Sequence, residues 1–224
     1  MERIRSGIKG LDPLVGGGFP KGHSVLVCGA PGTGKTIFGL QYLYQGAKMG
    51  EPGLYVSVEE HPRKLMMYGK EFGWKDLEQL NSDGKIEFLR VPPTERKFDI
   101  VEKVKERVAA TGAKRMVIDS LSAIYLAFED ITQFVYYFVN FLDELEVTSV
   151  FITDSPPGEE KLTKDGVSEF VCDGVIQLQL HDVSKTINRT ISVKKMRGTQ
   201  IIPGMNTLKF TKTGLEVEEF KAFY

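Results

Sequence analysis

The chain is poor in the residues that staple a fold, ligate metals or span a membrane. Its 224 residues include two cysteines, Cys28 and Cys172, both inside apolar runs. They read as reduced core thiols of a cytosolic protein rather than a disulfide or metal pair. Three histidines, His23, His61 and His181, show no ligand spacing. The longest apolar run, Phe134 to Leu142, is broken by Asn140 and falls short of the roughly 20 residues that cross a bilayer. No signal peptide opens the sequence, which again suggests the cytoplasm. Neither sign of charge is in excess: 29 Lys and Arg against 30 Asp and Glu leave a formal net charge of -1 at pH 7. That balance argues against a protein that coats a polyanion, although a local basic patch is compatible with it. No internal repeat or low-complexity linker appears, and the length suits one well-buried α/β domain over 1–224.

What the sequence does hold is Gly29-Ala30-Pro31-Gly32-Thr33-Gly34-Lys35-Thr36, a match to G-x-x-x-x-G-K-[ST], the phosphate-binding loop of nucleotide hydrolases. Ser24 to Cys28 before it reads as a buried parallel strand. Thr36 to about Lys48 after it reads as a helix, with Ile37, Leu40, Tyr44 and Ala47 on one face. Glycines let backbone N–H groups turn inward around a triphosphate, and a helix N-terminus adds partial positive charge there. Lys35 can reach the β- and γ-phosphates, and the Thr36 hydroxyl can hold Mg²⁺.

The rest of the chain alternates at first. Residues 1–23 are tight turns leading into the first strand. Over 24–153 further strands are expected at Gly53 to Glu60, Lys85 to Val91, Arg115 to Ser120 and Thr148 to Thr153. Helices are expected at Arg63 to Phe72, Asp99 to Thr111 and Ile131 to Glu146, with a loop around Asn81 to Gly84. Such alternation implies a parallel sheet covered on both faces. Over 154–224 the pattern changes to a polar loop, Asp154 to Glu169. Strands at Asp173 to Leu180, Thr190 to Met196 and Asn206 to Val217 follow, read as an antiparallel extension.

Three further groups carry chemistry. Asp119 ends an apolar strand, where parallel sheets bind ligands, and can complete the Mg²⁺ shell that Thr36 begins; a plain turn-capping Asp is the alternative. Glu59 and Glu60 end the neighbouring strand, and one of them can orient the attacking water. Successive strand residues point to opposite faces, so only one faces the site, unless both are solvated acids. Lys195 and Arg197 share a face of their strand with Met196 turned away, a fork suited to phosphate oxygens. Such a cation supplied by a neighbouring subunit is worth roughly 10³–10⁵ in rate. The alternative is an edge strand kept soluble by its cations.

Taken together, Ser6-Gly7-Ile8-Lys9-Gly10-Leu11-Asp12, Gly16 to Gly22 and the phosphate loop resemble the opening of the RecA/RadA/KaiC branch. Gly53 to Pro62 with its Glu-Glu pair, Phe72-Gly73-Trp74, Ile118-Asp119-Ser120 and Lys194-Lys195-Met196-Arg197-Gly198 narrow the resemblance to the KaiC domain, from about Arg3 to Val217. It implies a RecA-type P-loop NTPase fold with a mainly parallel central sheet flanked by helices. It also implies a cytoplasmic homo-oligomer, usually a hexameric ring, with ATP or ADP and Mg²⁺ between subunits. By the same resemblance Glu59 and Glu60 match the catalytic glutamates, with Glu59 the first choice as base. Lys195 and Arg197 match the cations that reach the neighbour's γ-phosphate. Two departures stand out. The clock protein of the family carries two such domains in tandem where this chain has one, and Glu169 and Phe170 stand where its autokinase half carries phosphoacceptors.

The functional expectation is therefore an ATPase that hydrolyses ATP to ADP and phosphate and regulates or docks a protein partner. A RadA-like DNA motor is an alternative, disfavoured by a loop whose Lys161 and Lys164 face Glu159, Glu160, Asp165 and Glu169 and by the lack of an F-x-x-A tetrapeptide. A nucleotide-binding module with little turnover is another. No N-K-x-D motif indicates a GTPase, and no membrane role is expected.

Overall fold

The computed structural model describes residues 1–92, 97–125, 131–156, 161–183 and 186–219. In chain order its strands are β1 (Arg3–Ile4), β2 (Phe19–Pro20), β3 (Ser24–Gly29), β4 (Gly53–Ser57), β5 (Ile86–Arg90), β6 (Arg115–Asp119), β7 (Thr148–Asp154), β8 (Gly174–Val183), β9 (Thr186–Met196), β10 (Asn206–Thr211) and β11 (Gly214–Glu219). The helices are α1 (Lys35–Lys48), α2 (Pro62–Glu71), α3 (Leu77–Ser82), α4 (Lys97–Thr111), α5 (Leu121–Tyr125), α6 (Ile131–Glu144) and α7 (Ser168–Val171). Nine strands form one sheet in the order β11-β10-β9-β8-β3-β7-β6-β4-β5. Pairings from β8 to β5 are parallel and those from β8 to β11 antiparallel.

The central strands are apolar throughout because both faces are covered. Alternate residues enter two cores. Val25, Val27, Tyr55, Val117, Val150 and Ile152 pack under α1. Leu26, Cys28, Leu54, Val56, Met116, Ile118 and Phe151 pack under α4 and α6. Both cysteines are buried and free, and burial pushes the Cys28 thiol up to about 11 and the Cys172 thiol up to about 12. Among the described residues no helix is long and apolar enough to cross a membrane.

Several expectations from sequence are corrected. The stretch around Asn81 is not all loop, because α3 buries Leu77 beneath α2 and beside Gly69. The expected loop 154–169 holds the start of α7; its Pro157, Gly158, Glu159 and Glu160 lie outside the described residues. Asn206 to Val217 is a hairpin of two strands, turning at Lys212 and Thr213. The strand β8 belongs to the parallel part, so the antiparallel extension begins one strand later. Finally β4 stops at Ser57, and Glu59 and Glu60 lie in a bend beyond it. Strand alternation therefore does not decide which of them faces the site.

Candidate functional site

The carboxyl ends of β3, β7, β6 and β4 are aligned by their register: Gly29 lies beside Asp154, Asp119 beside Ile152, and Ser57 beside Asp119. Residues 30–34 turn from β3 into α1 at that edge. The Thr33 hydroxyl, fully buried, donates to the Ala30 carbonyl at 2.8 Å and pins the turn. Gly34 has φ +109, and a Cβ there would stand 2.8 Å from Phe210 Cζ, so both backbone and packing require glycine. A cavity of about 330 Å³ opens beside Gly32, Gly34, Lys35 and Thr36, and Tyr68, Arg189 and Phe210 wall it. The Arg189 guanidinium lies 4.7 Å from the Phe210 ring centroid, and its Nε donates to the Gly32 carbonyl at 3.3 Å.

The sequence-predicted acids sit at differing distances from this loop. Asp119 is nearly buried, and its Oδ2 accepts from the Thr36 hydroxyl at 2.8 Å and from the Tyr55 hydroxyl at 2.7 Å. Burial raises its carboxyl, a push those two donors oppose. Glu59 Oε1 accepts from Ser120 Oγ at 3.4 Å. Burial raises the Glu59 carboxyl, and the charges of Asp119 and Asp154 raise it further. Glu60 points elsewhere: its Oε2 pairs with Lys64 Nζ at 3.2 Å, while its carbonyl accepts from Ser57 Oγ at 2.5 Å. Among the described residues no cluster of three or more His, Cys, Asp or Glu could hold a metal by itself. Thr36 and Asp119 instead offer two hard oxygens, a set that suits an ion keeping phosphate and water ligands, as Mg²⁺ does.

Lys195 and Arg197 are not brought to this loop. Lys195 Nζ donates to the carbonyls of Glu169, Phe170 and Cys172 at 3.1, 3.1 and 2.6 Å. Arg197 donates to the carbonyls of Val171 and Phe170 and pairs with Asp173 at 3.0 Å. They cap the carboxyl end of α7, an arrangement favoured by its exposed carbonyls. Burial and the neighbouring Arg197 lower the Lys195 ammonium. Strand pairing gives the reason: Lys195 lies opposite Val175, which lies beside Leu26, at the entry end of β3. Arg197, just past the end of β9, lies eight positions along the chain from Arg189, roughly 25 Å at strand rise.

Sequence reasoning missed Asp154, Tyr55, Tyr68, Arg189 and Phe210. A signal existed for Asp154, since it ends an apolar strand just as Asp119 does. None existed for Arg189 and Phe210, which meet only because β9 and β10 fold back beside the loop.

Comparison with known proteins agrees with this fold. Residues 4–222 match the family model described as ATPase: KaiC. The chain is 31% identical to a UPF0273 protein of Thermotoga maritima, over 97% of this chain and 96% of that one. It is 33% identical to the circadian clock oscillator protein KaiC of Picosynechococcus sp., over 97% of this chain and 44% of the clock protein. The crystal structure of a KaiC-like protein from Pyrococcus horikoshii OT3 aligns with a TM-score of 0.89 at 35% identity, covering 96% of this chain and 98% of that one. With the match running almost end to end, the chain belongs to the KaiC ATPase family.

Proposed function

We propose that the chain binds MgATP on Gly29–Thr36 and hydrolyses it to ADP and phosphate at sites completed by neighbouring subunits of a ring, a hexamer by family resemblance. Lys35 leaves its present partners to meet the β- and γ-phosphates. Thr36 and Asp119 hold Mg²⁺, which when bound neutralises phosphate charge. Phe210 and Arg189 supply flat faces for the base. Glu59 orients and deprotonates the attacking water, being the acid whose carboxylate accepts from Ser120 and whose basicity is raised by burial and by Asp119 and Asp154. Glu60, tied to Lys64 and through its carbonyl to Ser57, holds the bend in place.

The observation that carries the shared site is the two-ended character of β9. Arg189 sits at the phosphate loop of its own chain, whereas Lys195 and Arg197 lie at the opposite end of the strand. A phosphate-binding fork so placed can serve a phosphate loop only on another copy, through the head-to-tail contact that generates rings.

Mixing variants tests this. Lys35→Ala removes the loop cation and Arg197→Ala the neighbour's cation, and each alone has lost turnover. Reassembled together one to one, a site works when an Arg197→Ala loop meets a Lys35→Ala neighbour. This restores about a quarter of wild-type phosphate release for random head-to-tail assembly. Mixed oligomers that show no recovery, or Arg197→Ala that turns over normally by itself, refute the shared site.

A further inference from the structure

Lys35 spends all three ammonium hydrogens within the chain. Nζ lies 2.8 Å from the Gly29 carbonyl, 3.1 Å from the Ala30 carbonyl and 3.0 Å from Asp154 Oδ1. An ammonium has three donors and no more. Two of these partners are neutral carbonyls of the loop, and Asp154 is the charged one. The side chains are 9% and 24% exposed, so solvent screens their attraction only in part.

Asp154 is itself held from two sides. Its backbone N–H donates to Ser122 Oγ at 2.7 Å, and β7 registers it beside Gly29. Its second oxygen, Oδ2, lies 3.5 Å from Lys164 Nζ, whose side chain is half exposed. The Lys164 backbone N–H returns to the Asp154 carbonyl at 3.3 Å. One carboxylate thus stands between the loop lysine and a surface lysine. A phosphate arriving at Lys35 has to displace that carboxylate, and then finds it as a neighbouring negative charge unless Lys164 covers it.

We infer that Asp154 is a positioning residue that sets nucleotide affinity, holding Lys35 in the loop until phosphate displaces it and then handing its own charge to Lys164. Binding is an exchange of ion pairs in which no covalent bond changes: Lys35 passes from Asp154 to the phosphates, and Asp154 from Lys35 to Lys164. This rests on the reading of Gly29–Thr36 as the ATP site.

The test is calorimetric titration of the full chain with a non-hydrolysable ATP analogue in four forms: wild type, Asp154→Asn, Lys164→Ala and the double variant. Asp154→Asn keeps the shape and removes the charge, so binding tightens, on the order of tenfold, from one charge-assisted contact no longer surrendered. Lys164→Ala weakens binding about threefold, a surface-charge effect. In the Asp154→Asn background Lys164→Ala has no effect. A purely structural Asp154 cannot make binding tighter, and Lys164 is exposed enough that its variant tests the exchange even if Asp154→Asn disturbs the fold. Unchanged or weaker binding by a folded Asp154→Asn overturns the inference, as does a Lys164→Ala effect that persists undiminished in the double variant. Wild-type protein that binds no analogue overturns this inference and the ATP site together, whereas normal wild-type binding with an unresponsive Asp154→Asn overturns this one alone.

Discussion

Phe210→Ala separates recognition of the base from recognition of the phosphates. The ring lies over the loop: its Cζ is the nearest atom to a Cβ built on Gly34, and the Arg189 guanidinium stacks on it at 4.7 Å. A base slipping against such a face gains roughly 1–3 kcal/mol by stacking. Phe210 is 40% exposed and Arg189 remains to cover the base, so the low end applies. About 1.4 kcal/mol is a tenfold loss of ATP affinity. In the proposed site the phosphates meet the loop amides and Lys35 rather than the ring, so inorganic tripolyphosphate binds the variant as it binds wild type. Calorimetric titration with both ligands measures the difference. The protein's single tryptophan gives a second readout, since Trp74 connects to Phe210 through Phe72 by two tilted ring contacts, with centroids 5.5 and 6.1 Å apart. Equal losses for ATP and tripolyphosphate mean that the ring merely props the loop. No loss for either means that the base lies elsewhere. Either result refutes the base subsite.

The remaining predictions concern the base and the core. Glu59→Gln retains ATP affinity and loses phosphate release, whereas Glu60→Gln affects turnover less; assays of both variants at saturating ATP distinguish them. A base works ionised, and burial with Asp119 and Asp154 nearby raises the Glu59 carboxyl. Wild-type kcat therefore falls on acidification at a pH above the ordinary glutamate range, in a pH profile of phosphate release, and Glu59→Gln lacks that limb. Gly46→Ala puts a methyl group 2.3 Å from Nε of the fully buried Arg115, which is paired with Glu51 and stacked on Tyr42. Displacing a buried ion pair costs about 3 kcal/mol, read as a lower midpoint in urea, with ATP affinity of the folded protein unchanged.

The parts of this protein legible from sequence are those whose physics is local. The phosphate loop is eight consecutive residues between an apolar run and a helical one, so strand, turn and helix identify one another. Asp119 was legible because an acid closing the apolar run Met116-Val117-Ile118 can hardly be anywhere but at a strand end. Errors arose where short polar segments take structure from tertiary contacts. Leu77 makes a helix of Leu77–Ser82 by burying itself against Gly69 and Trp74, a contact no local pattern advertises. The bend at Glu59 and Glu60 is held by Ser57 and by the end of β6, through Val58 N–H donating to the Asp119 carbonyl at 2.8 Å.

β9 shows the limit in its sharpest form. Period-two alternation correctly groups Lys195 with Arg197 on one face, and both reach the Phe170 carbonyl in α7. What alternation cannot supply is the end of the sheet at which a residue stands. That depends on strand direction: β8 runs parallel to β3 and β9 runs back against β8. Had β9 been parallel, Lys195 and Arg197 would lie toward the phosphate loop of their own chain and Arg189 toward the far end. Because it is antiparallel, Arg189 stays with its own loop and the Lys-x-Arg fork is carried away from it. The reversal of one strand thus puts Arg189 and the Lys-x-Arg pair at opposite ends of the sheet, and it is this geometry, more than the pair's charge, on which the proposed shared site rests.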